Sequence, residues 1–137
     1  MSKTRRHVLY GYAEGDDFND IACQITERVG QFVSGRDWVS GEAWPVNQRR
    51  GDEGDTKCWE LGINLELPDP GREASGWFTD VEEIAITCNE LARDYARPFV
   101  IGISDQETGI ADDLFFLDGG AIDIERLRAI IGIGVTE

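Results

Sequence analysis

Residues 58–67 read Cys58-Trp59-Glu60-Leu61-Gly62-Ile63-Asn64-Leu65-Glu66-Leu67. Trp59, Leu61, Ile63, Leu65 and Leu67 alternate without a break against Cys58, Glu60, Gly62, Asn64 and Glu66. Side chains on a strand project to opposite faces in turn, so this pattern predicts a strand with one buried and one wet face. Pro68-Asp69-Pro70-Gly71 ends it, and a loop is expected to about Trp77. On the other side, Asn47 to Thr56 is polar, contains Gly51 and Gly54, and reads as a hairpin loop. Its partner strand is then Asp37 to Val46, with Trp38 and Trp44 on one side. Pro45 puts the end of that strand at an edge or outside the ladder.

Helical spacing takes over on both sides of this hairpin. Ile21, Ala22, Ile25, Val29, Phe32 and Val33, led by Phe18, recur on one helical face. Glu14-Gly15-Asp16-Asp17 supplies the turn and N-cap before it, and Gly35 a stop after it. A strand from His7 to Ala13 precedes that turn. Thr79 with Glu82 forms a capping-box signature for a second helix. Its apolar stripe is Val81, Ile84, Ala85, Cys88, Leu91, Ala92 and Tyr95, with Glu82, Glu83, Asn89, Glu90 and Arg93 facing away. Pro98 blocks continuation. Phe99 to Ser104 and Ile110 to Leu117 form a second hairpin, and Asp123 caps a short final helix through Ile131, beyond which the Gly-rich end frays. The order βαββαβ, then β and α, predicts one α+β domain over residues 1–137. Both main helices cover one face of a mainly antiparallel sheet, in the ferredoxin-like split βαβ arrangement with an added C-terminal strand and short helix.

Composition removes several classes of function. Asp and Glu number 27 against 13 Lys and Arg, a formal net charge of −14. Direct binding to nucleic acid needs a surface that replaces phosphate counterions, and an anionic membrane makes the same demand. No apolar run approaches the roughly 18 residues of a membrane helix. The opening Met-Ser-Lys-Thr-Arg-Arg-His precedes only a short apolar stretch, Val8 to Tyr12, too short for a signal peptide. Cys23, Cys58 and Cys88 are odd in number and widely spaced, which predicts a reduced cytoplasmic protein. Cys88 falls on an apolar stripe and is expected as a packed thiol. His7 is the only histidine and sits near the N-terminus, so a triad or an imidazole-rich zinc site is not expected.

The remaining chemistry is carboxylate chemistry. No phosphate-loop or dinucleotide fingerprint occurs, and Glu14, Asp16, Asp17 and Asp20 would repel a phosphate beside Gly11 and Gly15. Asp112 and Asp113 are adjacent on a strand and point apart unless a bulge intervenes. Asp52-Glu53-Gly54-Asp55 is a fragment of a calcium loop without its closing glutamate. No catalytic residue, metal site or cofactor is therefore expected. The acidity recurs at Glu14 to Asp20, Asp52 to Asp55, Asp80 to Glu83 and Asp105 to Asp118. Such charge costs self-repulsion, which a strongly basic partner offsets by faster and more selective docking; solubility or a salt-adapted host are the competing explanations. Trp38 and Trp44 beside acidic loops read as interface anchors or as residues packed under the helices.

A small, acidic, single-domain α+β chain carrying clusters such as Glu14-Gly15-Asp16-Asp17 and Asp52-Glu53-Gly54-Asp55 resembles the immunity proteins of bacterial toxin systems, of the contact-dependent inhibition or type VI kind. The resemblance covers the whole chain in character and rests on no diagnostic motif. It implies a cytoplasmic, bacterial inhibitor that neutralises a basic protein toxin of nuclease type, covering its active site or docking beside it. Phage inhibitors that imitate DNA charge share this physics. The expected partner-binding residues are Glu14, Asp16, Asp17, Asp52, Glu53 and Asp55, with Trp38 and Trp44. The alternatives are a small-molecule-binding regulatory domain or carboxylate- or metal-dependent enzyme, with a pocket among Asn64, Glu66 and Asp113 on the open sheet face, and a subunit self-associating through sheet edges.

Overall fold

In the computed structural model, which describes residues 7–14, 21–50, 58–67, 76–105, 108–109 and 111–136, the alternating stretch forms an interior strand, β3 (Cys58–Glu66). The side chains of residues 48–50, 58–59 and 131–136 are not among those described, so Trp59 and Cys58 lie outside that set. Leu61, Leu65 and Leu67 are fully buried and Ile63 nearly so. Glu60, Asn64 and Glu66 on the opposite face are half-buried. Burial at about 25 cal/mol per Å² gives each such aliphatic side chain roughly 1.5–3 kcal/mol, which fixes the register against a one-residue slip.

Around β3 the chain assembles β1 (His7–Ala13), α1 (Ala22–Ser34), β2 (Ala43–Arg50), α2 (Trp77–Tyr95), β4 (Phe99–Asp105), β5 (Ala111–Leu117) and α3 (Ile124–Thr136). The five strands lie in the order β2-β3-β1-β4-β5, and every neighbouring pair is antiparallel. The molecule is therefore α+β, with three helices and an antiparallel sheet. α1 packs over β2 and β3, α2 over β1, β4 and β5, and α3 against β5. Leu9, Ile25, Leu61, Ile84, Leu91, Phe99, Ile101 and Leu127 fill the core between these layers. Gly11 lets α2 approach closely, because a Cβ there would stand 2.8 Å from Cys88 Sγ.

Several local expectations are corrected, among them the start of α1, which is Ala22 with Ile21 before it and no side-chain cap. Residues 37–42 are not strand, because their amides go elsewhere: Asp80 Oδ2 accepts from Val39 N at 2.7 Å and Ser40 N at 2.6 Å, while Oδ1 accepts from Arg36 Nη2 at 2.7 Å. β2 starts at Ala43 and runs through Arg50, into the stretch expected as loop. α2 begins at Trp77 after a left-handed Gly76 (φ 88°), with no side-chain cap; Thr79 sits in the first turn and Glu82 binds Arg128 instead. Asn89 is buried, where it was expected to face away, because its amide holds the turn after β5: Nδ2 donates to Gly120 O at 2.6 Å and Oδ1 accepts from Gly119 N at 2.8 Å. α3 is capped as expected, Asp123 Oδ1 accepting from Arg126 N at 3.1 Å, but continues through Gly132 and Gly134 to Thr136. A helical glycine costs about 1 kcal/mol, which weakens a helix without ending it.

Candidate functional site

The strand register decides what meets on the sheet face away from the helices, where Val8, Tyr10, Val46 and Val100 are themselves buried. Trp44 pairs with Asn64, Asn64 with Tyr10, Tyr10 with Gly102, and Gly102 with Asp113, giving one row across all five strands. The next row holds Val46, Gly62, Tyr12, Val100 and Phe116. Tyr10 reaches across Gly102, where a Cβ would lie 2.3 Å from its hydroxyl, and donates to Asp113 Oδ1 at 2.5 Å. Tyr12 Oη donates to Asn64 Oδ1 at 2.7 Å, and the two tyrosine rings stack with centroids 4.9 Å apart. Burial, then the hydrogen bond to Asp113, push the Tyr10 hydroxyl far above its ordinary value, so it stays a proton donor. This pair organises a surface; it is not poised as a base or nucleophile.

Asn64, Glu66 and Asp113 share this face but do not converge. Asn64 and Asp113 stand on β3 and β5, three strand spacings of about 4.8 Å apart, with Tyr10 between them. Asp112 and Asp113 point to opposite faces, because the bulge in the β4–β5 register falls beyond them at Ile101/Gly102. Among the described residues no three His, Cys, Asp or Glu side chains are grouped to hold a metal ion, and no helix is long and apolar enough to cross a membrane.

The structure separates the two candidate tryptophans. Trp38 lies before β2, edge-on to Phe32 with centroids 5.4 Å apart, and its Nε1 donates to Val33 O at 3.0 Å. Arg36 lies over its ring at 5.1 Å. Trp38 is thus engaged in packing on α1. Trp44 alternates with the buried Ala43 and is half-buried on the face away from the helices. Glu14 is exposed just after β1, its amide donating to Pro98 O at 2.8 Å. Asp16, Asp17, Asp52, Glu53 and Asp55 lie outside the described residues. Asp80 is fully buried and bonded, so it contributes nothing to a surface field.

Exposed acidity and exposed apolar surface coincide instead at β5. Phe116 is 63% exposed, and Ala111, Asp112 and Asp113 are exposed beside it. Asp118 follows, its Oδ1 accepting from Gly120 N at 3.0 Å, and Asp123 caps α3. A cavity of about 320 Å³ opens here, lined by Leu114, Phe116, Asp118, Ala121, Asp123 and Arg126 among others. Arg126 on α3 is the arginine of that lining, while Arg28 is engaged with Asp94 (2.9 Å), Arg36 with Asp80 (2.7 Å) and Arg128 with Glu82 (2.8 Å). Sequence reasoning passed over Phe116, although Phe115-Phe116 carried a signal. Adjacent aromatics on a strand face opposite ways, so one of them had to leave the helix-covered core.

Comparisons with protein-family models, with curated proteins and with solved structures gave no match.

Proposed function

We propose that this chain is a stoichiometric inhibitor of the immunity-protein kind, which binds and neutralises a basic protein toxin of nuclease type through an acidic surface. The observation that carries the reading is the β5 edge, where an exposed Phe116 shares a face with Asp113 and lines a cavity with Asp118, Asp123 and Arg126, while Asp112 is exposed on the other face. A central aromatic with a carboxylate rim combines an apolar anchor with a field that steers a cation-rich partner. Glu14, after the central strand β1, and Trp44, on the opposite edge strand β2, remain candidate contacts away from this edge; Trp38 is withdrawn because its ring and Nε1 are already used. The same reading takes the fold as ferredoxin-like, with β5 and α3 appended. Its support is that β1 and β2 run parallel with β3 between them, as a split βαβ unit requires. It also takes the chain as cytoplasmic and bacterial, and the free thiols of Cys23 and Cys88 are compatible with a reducing compartment.

The test is affinity capture from the native host with the wild-type chain and with Phe116→Ala/Asp118→Lys, followed by an activity assay on what is captured. A basic protein retained only by the wild type, and silenced at one-to-one stoichiometry, supports the reading. Retention that the double variant does not alter, or a captured protein whose activity is untouched, contradicts it. A second reading, a small-molecule-binding domain, is favoured by the cavity beside α3. It predicts thermal stabilisation by a metabolite that competes with no protein.

A further inference from the structure

β5 is the terminal strand of the sheet, and its hydrogen-bonded neighbour is β4. Ala111, Asp112, Asp113 and Phe116 are exposed along it, and α3 is the helix that packs against it. An edge strand presents a row of backbone donors and acceptors that another extended chain can pair with. We propose that an extended, basic segment of the partner protein adds to the sheet at β5 as a sixth strand. The inference rests on the inhibitor reading above and specifies how the partner docks.

Three observations select this edge and this occupant. First, Asp112 and Asp113 project to opposite faces, so cations on either face of an added strand meet a carboxylate directly opposite or diagonal to them. Second, an antiparallel second copy paired across β5 and centred on Asp112 and Asp113 would set these residues against the same residues of its mate, which like-charge repulsion opposes. Third, the opposite edge, β2, carries Pro45, which has no amide hydrogen to donate. The bulge adds a local feature, since it leaves Leu114 without a β4 counterpart in the register. Phe116, on the face of the same strand away from the helices, offers an apolar platform for every second side chain of the added segment.

The experiment uses the full chain and a capped synthetic peptide alternating arginine with valine. A second peptide has the same side chains but N-methyl groups on alternate backbone amides, which removes donors along one edge and keeps the charge. Modifying the peptide rather than β5 avoids any loss of folding. The expected result is binding of the first peptide, slowed amide exchange within residues 111–117 and not within 43–50, and at least about tenfold weaker binding of the methylated peptide. Equal affinity for both peptides, without protection of β5, overturns strand addition and leaves the inhibitor reading standing on its capture experiment. Failure of both peptides to bind also overturns strand addition. Protection at β2 instead of β5 overturns the choice of edge.

Discussion

Asp80 is the one fully buried carboxylate among the described residues, and replacing it by alanine has a cost that follows from its partners. Three donors converge on it: Arg36 Nη2, Val39 N and Ser40 N, at 2.7, 2.7 and 2.6 Å. In Asp80→Ala the two amides lose their acceptor near the protein interior, at about 1–2 kcal/mol each. The Arg36 side chain is 23% exposed, so solvent screens part of its loss, and it adds only about 1 kcal/mol. The sum is roughly 3–5 kcal/mol, a large share of the ~5–15 kcal/mol that holds a domain of this size. In melting temperature that is a fall of roughly 10–20 °C. Arg36→Met keeps both amides bonded but leaves the fully buried Asp80 carboxylate without its counter-ion, so it too should destabilise the fold. Urea and thermal unfolding followed by circular dichroism read both variants. A loss below about 1 kcal/mol for Asp80→Ala would refute the claim that this carboxylate pins residues 36–40 to α2.

Burial pushes the Cys88 thiol up to about 12. The unfolded thiol titrates near ~8.5, so its stabilising contribution is complete below that pH and is lost as pH rises toward the folded value. Between pH 7.5 and 10.5 the stability gap between wild type and Cys88→Ala should therefore narrow by about 2–3 kcal/mol; a constant gap in urea melts contradicts the assignment. Mass-spectrometric mapping should also find Cys23 alkylated in native buffer while Cys88 reacts only on unfolding. Gly11→Ala places a methyl group 2.8 Å from Cys88 Sγ and should cost about 1–3 kcal/mol. Adding Cys88→Ala should recover part of that, and purely additive losses would count against the contact. The hydrogen bond from Arg28 holds the Asp94 carboxyl below the usual aspartate range, so its contribution is present at neutral pH and lost as pH falls through the lowered value. Asp94→Asn should flatten the acid side of the stability profile, and an unchanged acid midpoint would show the pair to be inert.

The sheet was legible where burial alone dictates pattern. β3 declared itself by alternation, and the stripe of α2 lies on the core from Val81 to Ala92. What the sequence hid was set by contacts between distant residues. Tyr10 meets Asp113 over 103 positions of chain, and only the antiparallel register through Gly102 brings them together. Trp38 falls on the same side as Trp44 when residues 37–46 are read as one strand, yet Asp80, some forty positions on, captures the amides of Val39 and Ser40. Trp38 and Trp44 parted for that reason. Local capping rules succeeded at Asp123 and failed at Thr79, because Trp77 and the buried Phe78 extend α2 by a further half-turn. The acidic loops judged most promising lie outside the described residues, and the edge at Phe116 rested on knowing which strand comes last in the sheet.

Electrostatic docking at β5 is most directly tested by the association rate of this chain with the basic protein it captures, measured by stopped flow from about 20 to 500 mM salt. The account predicts a fall of about tenfold or more over that range, and a similar fall at low salt in Asp112→Lys/Asp118→Lys. A rate indifferent both to salt and to those two reversals would contradict it.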